Sequence, residues 1–233
     1  MRIGILQCGH APDSVQAKHG DFDVMFEALL HGHDFTYKTW NVVDNEFPLS
    51  VGDADGWLIT GSKHGAYENH SFISPLSRLI EKIYAKETPM IGVCFGHQII
   101  AQALGGKVDK FNRGWVVGRQ EYTLGTGDSV ALNAWHQDQV TCRPEDAEII
   151  ATNGFCKNAG LVYGRKAYTI QPHPEFSNKI MEDYLIARRS SPAYPKNLMD
   201  TAQSLTKVKI HTSTIAKDFA AFLKGNFEAK VIS

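Results

Sequence analysis

Several things are scarce or missing in this 233-residue chain, and each absence narrows its class. No apolar run approaches the roughly 18 consecutive residues of a membrane span, so no membrane association is expected. Near the start, the apolar stretch Ile3–Leu6 is stopped by Gln7 and Cys8, which does not make a secretory leader. The four cysteines stand at 8, 94, 142 and 156 without CxxC spacing, and so form neither a disulfide frame nor a zinc framework. Charge of one sign is lacking too. The 24 Lys and Arg against 25 Asp and Glu leave a net −1, which removes the electrostatic case for nucleic acid or an acidic membrane as partner. There is no GxGxxG or Walker loop, so no phosphate cradle and no cofactor is expected. Glycine and proline, at 20 and 9, are too few for a collagen-like or low-complexity chain. What remains is an expected reducing, cytoplasmic, globular protein in which a cysteine is free to act as a thiol.

The pattern along the chain predicts an α/β fold. Arg2–Gln7 reads as a short strand followed by a loop rich in Gly, Pro and Asp. Phe22, Met25, Phe26, Leu29 and Leu30 recur at helical spacing, as do Ile73, Leu76, Leu79, Ile80 and Ile83. Phe35–Trp40, Trp57–Thr60 and Met90–Cys94 read as strands, and Gly96–Leu104 as a helix ended by Gly105-Gly106. Strands alternating with helices in this way predict a three-layer sandwich with a mostly parallel central sheet. From Val108 to Gln171 short β-type pieces follow: Val116–Val117, Tyr122–Leu124, Glu148–Ala151, Leu161–Tyr163 and Tyr168–Ile170, some of them antiparallel. Helical spacing returns with Ile180, Met181, Tyr184 and Leu185, and again with Ile215, Phe219, Phe222 and Leu223 before Gly225. From Ile186 onward eight Lys/Arg face three Asp/Glu, which reads as a solvated helical surface.

Cys94 is the candidate nucleophile. It ends the apolar run Met90-Ile91-Gly92-Val93 and is followed by Phe95-Gly96-His97-Gln98 and a helix. At a tight strand-to-helix turn a side chain projects above the sheet, the next amide faces the reacting carbonyl, and the helix N-terminus favours an anion. Glycines at 92 and 96 permit the close approach this needs. Downstream, Gln171-Pro172-His173-Pro174-Glu175-Phe176 follows the last strand. In an extended segment His173 and Glu175 would point the same way, one toward Cys94 and the other behind the imidazole. Cys, His and acid in those positions are the parts of nucleophilic acyl transfer.

Pro89–Gln98 resembles the nucleophile motif of class I glutamine amidotransferases, and His173-Pro174-Glu175 resembles the second active-site element of that family. The similarity runs from residue 3 to about 189, toward the glutaminase domain of GMP synthase. It implies a flavodoxin-like fold, with a small antiparallel β portion and a helical C-terminal tail in addition. A domain over 1–189 is expected, with 190–233 as a helical extension packed on it. The resemblance also implies roles. Cys94 would form a γ-glutamyl thioester, His173 would shuttle the proton, and Glu175 would orient the imidazole. The oxyanion donors would be the amides of Phe95 and Ser62, each typically worth about 2.7–4 kcal/mol. Relatives carry Gly-Gly-Pro where this chain has Gly61-Ser62-Lys63. Substrate contacts are expected from Gly61, Gln98 and the Trp135-His136-Gln137-Asp138 loop.

The remaining candidates read as structural. Cys8, Cys142 and Cys156 lack a glycine turn and a paired base. Histidines 10, 19, 31, 33, 64 and 70 show no HExxH or paired-ligand spacing, so no metal is expected. His64–Glu68 reads as a loop near the site, and Trp57, Trp115 and Trp135 as core or pocket wall. Arg113 is left unassigned between substrate and solvent. The expected partner is glutamine or a γ-glutamyl small molecule. The sequence leaves the acceptor open: a separate synthetase subunit or, in a γ-glutamyl peptide hydrolase, water. From the length, no synthetase domain is expected in the same chain. A catalytically silent binding member of the same fold is the other alternative. A cysteine stress protein with a similar elbow is disfavoured by His173-Pro174-Glu175.

Overall fold

The computed structural model describes residues 1–232. Its strands are β1 (Arg2–Leu6), β2 (Thr36–Trp40), β3 (Gly56–Ile59), β4 (Met90–Val93), β5 (Lys107–Lys110) and β6 (Val116–Leu124). They continue with β7 (Ser129–His136), β8 (Asp138–Cys142), β9 (Glu148–Thr152), β10 (Gly160–Tyr163) and β11 (Ala167–Ile170). The helices are α1 (Asp13–His19), α2 (Phe22–Leu29), α3 (Ile73–Ala85), α4 (Phe95–Ala103), α5 (Asn178–Arg188), α6 (Lys196–Ser204) and α7 (Thr212–Leu223). Nine strands form one mixed sheet in the order β2-β1-β3-β4-β11-β10-β9-β6-β7, and β5 and β8 form a separate antiparallel pair. The five strands from β2 to β11 run parallel; β10, β9, β6 and β7 are antiparallel.

Period-two alternation assigns the parallel strands to two cores. Leu6, Ile59 and Met90 pack with Leu76, Ile80 and Ile83 of α3 and Ile99 and Ile100 of α4. Ile3, Ile5, Leu58, Ile91 and Val93 pack on the opposite face with Phe26 of α2 and Ile215, Phe219, Phe222 and Leu223 of α7. A third cluster joins Val15 of α1, Met181, Tyr184 and Leu185 of α5, Met199 and Ala202 of α6, and Val117. The predicted three-layer α/β sandwich with a flavodoxin-like arrangement is therefore the observed fold.

Three details differ from the sequence reading. The segment after β1 contains helix α1, whose single buried residue, Val15, leaves no periodicity to see. Val116–Val117 and Tyr122–Leu124 are the two ends of one nine-residue strand, hidden by the polar run Arg119-Gln120-Glu121. Gly118 sits at φ 85° in its middle, where a Cβ would lie 2.6 Å from that of Ala202 on α6. The Trp135–Asp138 segment is no loop: it spans the end of β7 and the start of β8.

Helix α7 is a layer of the sandwich. Its four large apolar residues, at about 1.5–3 kcal/mol each, carry a contribution comparable with a whole domain's margin of roughly 5–15 kcal/mol. A chain ended after Arg189 is accordingly expected to lose cooperative thermal unfolding and to bind a hydrophobic dye. An unchanged melting curve for that truncation would place residues 190–233 outside the folding unit.

Candidate active site

The carboxyl ends of adjacent parallel strands converge, which is where open α/β sheets hold ligands. Beyond β3 lie Gly61 and Ser62, beyond β4 Cys94, and beyond β11 His173. Cys94 has φ 54° and ψ −104°, a backbone conformation that costs a non-glycine residue about 1–3 kcal/mol. Its amide donates to Ile170 O at 2.9 Å, and its carbonyl accepts from the Gln98 amide at 3.1 Å. The turn is thus tied to the neighbouring strand on one side and starts α4 on the other. Phe95 is the first residue of α4, so its amide has no acceptor within the helix.

Gly92 and Gly96 let that helix lie on the sheet. A Cβ on Gly92 would stand 2.7 Å from Gly96 O, and one on Gly96 would stand 2.1 Å from Ile59 O. Gly61 faces the reactive groups directly: a Cβ there would be 2.9 Å from His173 Cε1 and 3.8 Å from Cys94 Cβ.

His173 and Glu175 are both buried, and imidazole Nδ1 meets Glu175 Oε1 at 2.6 Å. The backbone is extended only at His173, whose amide donates to Asn133 O at 2.8 Å, in a bridge to β7. The chain then turns, with Phe176 N donating to His173 O, so the pair is made by a turn and not by the fully extended segment expected. The Phe176 ring stacks on the imidazole at 4.2 Å and 6°, fixing its plane. Burial opposes charge on His173, but Glu175 and then the Cys94 sulfur outweigh it and push the imidazole up to about 10. The sulfur lies within hydrogen-bonding reach of that ring.

Two cavities flank this group. One of about 180 Å³ is lined by Cys94, Gln98, Trp135, His136 and Gln137, together with Ser62–Gly65, Tyr67, Glu68, Lys110, Trp115 and Asp138. The other, about 70 Å³, is lined by His173 and Phe176 with Phe22, Tyr184, Arg188 and His10. Ser62, Lys63 and Trp135 line both. A larger cavity, about 720 Å³, lies against Cys142, Arg143 and Ile232, and none of its walls carries a paired nucleophile and base.

The residues expected to bind substrate divide in two. Gly61 lies against His173 and Cys94, and Ser62 shares a cavity wall with Cys94. Gln98 instead braces the fold: its amide nitrogen donates to Asp138 O at 2.9 Å and Gln171 Oε1 at 3.1 Å, leaving its carbonyl oxygen to offer a ligand. His136 is buried, with Nδ1 3.1 Å from Asp138 O. Arg113 lies over the Phe155 ring and donates to Gly154 O, outside both cavities. Lys63, Tyr67 and Glu68 belong to segments the sequence places near the site, whereas Lys110 and Arg188 carry no sequence signal, since they reach it through tertiary placement with no shared motif. Cys8 and Cys156 are buried, and burial raises both thiols, whereas Cys142 is exposed.

Burial also pushes His97 and His136 down to about 3 each, so both are neutral in the folded protein. An unfolded histidine titrates near 6.5. As pH falls from about 6.5 toward 3 the unfolded chain takes up two protons that the native state refuses, and stability drops by up to about 2.7 kcal/mol per pH unit. His173 has the opposite sign: its contribution is complete below about 6.5 and is lost as pH rises toward its elevated value. The melting temperature is expected to peak near neutrality and fall on both sides. A melting temperature that is flat between pH 7 and pH 4.5 would contradict the burial of neutral His97 and His136.

Residues 30–190 match the family model described as glutamine amidotransferase class-I. Gamma-glutamyl peptidase 4 of Arabidopsis thaliana is 29% identical over 83% of this chain and 84% of its own length. The GMP synthase [glutamine-hydrolyzing] of Porphyromonas gingivalis is 31% identical over 56% of this chain and 27% of its own length. Among solved structures, a glutamine amidotransferase of Thermotoga maritima superposes with a TM-score of 0.74 at 22% identity, covering 98% of this chain and 99% of that one. The elbow geometry and the family match agree, and the chain belongs to the class I glutamine amidotransferase family.

Proposed function

We propose that this protein hydrolyses the γ-amide bond of γ-glutamyl compounds through a thioester on Cys94, with water as the final acceptor. The observation that carries this is the strained Cys94 turn beside a buried His173–Glu175 pair at 2.6 Å. Cys94 Sγ attacks the γ-carbonyl carbon beside a His173 imidazolium that already holds the proton. The amides of Phe95 and Ser62 receive the developing oxyanion. His173 then passes its proton to the departing nitrogen and the C–N bond breaks. In the second half a water molecule, deprotonated by His173, attacks the thioester carbon and releases glutamate and the free thiol. Glu175 keeps the imidazole in the right tautomer and plane throughout.

The cavity on the Cys94 side carries both Lys63 and Lys110 and both Glu68 and Asp138, a charge mixture suited to the α-amino and α-carboxylate groups of a glutamyl unit. The cavity on the His173 side supports a leaving group larger than ammonia, and Arg188 and Lys63 in its wall suit a leaving peptide that ends in a carboxylate. The similarity to gamma-glutamyl peptidase 4 runs over most of both chains and points the same way.

The test is to follow glutamate release from glutamine and from γ-glutamyl dipeptides. Peptide cleavage without any partner is expected. Arg188→Ala is expected to raise KM for γ-glutamyl dipeptides about 10-fold or more, the scale of one charge-assisted hydrogen bond, and to leave KM for glutamine unchanged. Equal effects on both substrates would remove Arg188 from the leaving-group side. The similarity to GMP synthase favours a second reading, in which ammonia from glutamine is handed to a separate synthetase subunit. Glutamine turnover that appears only on adding such a subunit would select it.

A further inference from the structure

The loop that follows Ser62 and Lys63 brings Glu68, which lines the proposed substrate cavity, together with two histidines, His64 and His70, that the proposed hydrolysis does not use. His70 Nε2 and His64 Nδ1 both face one oxygen of Glu68, Oε2, at 2.7 and 3.6 Å. One ligand atom from each residue lies within 4.8 Å of the others, and all three side chains reach solvent. Bonds of about 2.1 Å from nitrogen and oxygen to a tetrahedral metal put neighbouring ligand atoms about 3.4 Å apart, a value between the 2.7 and 3.6 Å of the two imidazole–carboxylate pairs. The spacing His-x₃-Glu-x-His matches none of the helical ligand patterns sought in the sequence, because the loop, and no helix, gathers the three.

The group is also held in place. The two imidazoles lie 3.9 Å apart, and both pack on the buried Phe72 ring, at 5.8 and 6.1 Å. Turn hydrogen bonds from Glu68 N to Gly65 O and from Ile73 N to His70 O fix the loop between them. Phe72 in turn packs on Phe95, the residue after the nucleophile, with centroids 6.0 Å apart.

We propose that His64, Glu68 and His70 form a binding site for a divalent transition metal of the zinc class at the mouth of the Cys94 cavity. Two imidazoles and one carboxylate are the ligand set such ions take, with a position left open for water or a ligand. Since His64 and Glu68 line the cavity wall, a bound ion there narrows the entrance and takes up the Glu68 carboxylate, so occupancy inhibits turnover.

Metal binding is measured independently of catalysis, in a Cys94→Ala/Cys142→Ser background that removes the nucleophile and the exposed thiol. Titration with Zn²⁺ by calorimetry and with Co²⁺ by visible absorption is expected to show one ion per chain. Adding His70→Ala is expected to weaken it at least 10-fold, and His64→Ala/His70→Ala to abolish it. In the otherwise unaltered protein, His70→Ala is expected to turn over substrate normally and to need at least 10-fold more Zn²⁺ for half-inhibition. Binding that is absent, or undiminished in the double histidine variant, would overturn the site. Inhibition by Zn²⁺ that persists at the same concentration in His70→Ala would overturn its action on the entrance. Neither result depends on which γ-glutamyl compound the enzyme cleaves.

Discussion

Replacing Cys94 by serine or alanine is expected to lower hydrolysis of γ-glutamyl amides by on the order of 10⁵-fold or more, with the fold retained. Removing the nucleophile of a hydrolytic triad costs about that much, because base and oxyanion donors have nothing left to act on. Folding should survive, since Cys94 makes no side-chain cap bond and, apart from its approach to His173, its Sγ makes only a long 3.9 Å approach to Trp135 O. Cys94→Gly separates the two roles of the residue. It is equally inactive, but it removes a Cβ from a positive-φ turn and is expected to be about 1 kcal/mol more stable than Cys94→Ala. Steady-state assay and denaturant melts on the three variants read both effects. Substantial activity in Cys94→Ala would remove the nucleophile from the account, and equal stability of the Ala and Gly variants would remove the strain.

Gly96→Ala is expected to have the largest effect of any single methyl group added to the chain near the site. Its Cβ would stand 2.1 Å from Ile59 O and 2.8 Å from the carbonyl carbon of Ile59, both backbone atoms of β3 that no rotamer change can move. Relief requires α4 to lift off the sheet. Overpacking costs typically 1–3 kcal/mol, and a collision with backbone places this variant at about 3 kcal/mol or above. The same movement displaces Cys94 and the Phe95 amide, two and one residues away, and a shift of about 1 Å at a reacting group costs about 10²-fold in rate. The control is Gly154→Ala, where an added Cβ meets nothing within 4 Å and which should stay within about 0.5 kcal/mol of the parent. Comparable melting temperatures for the two variants would contradict the close packing of α4 on β3.

The Cys94 turn was legible because everything it requires is local: an apolar strand, two glycines at fixed offsets and a helix start within ten residues. His173 and Glu175 were legible as a pair, although the bend that joins them was not, because the Asn133 bridge and the Phe176 stack come from outside the motif. Strand β7 escaped notice for a different reason. It is buried on both faces from Val130 to Ala134, so its side chains show no alternation. The charged groups around the cavities were out of reach of any periodicity. Lys63, Lys110, Asp138 and Arg188 arrive from four separate segments and meet only once the sheet has formed. The same holds for His64, Glu68 and His70, which became a cluster through the turn that folds their loop onto Phe72.

The claim on which the rest depends is that Cys94 carries the glutamyl group. It is tested most directly by acid-quenching the protein during turnover of a γ-glutamyl substrate and measuring the intact mass and the modified peptide. The account predicts a mass increase of one glutamyl unit, located on Cys94, formed with pre-steady-state amine release and absent from Cys94→Ala. Turnover at an undiminished rate with no such adduct, or with the glutamyl group on another residue, would contradict it.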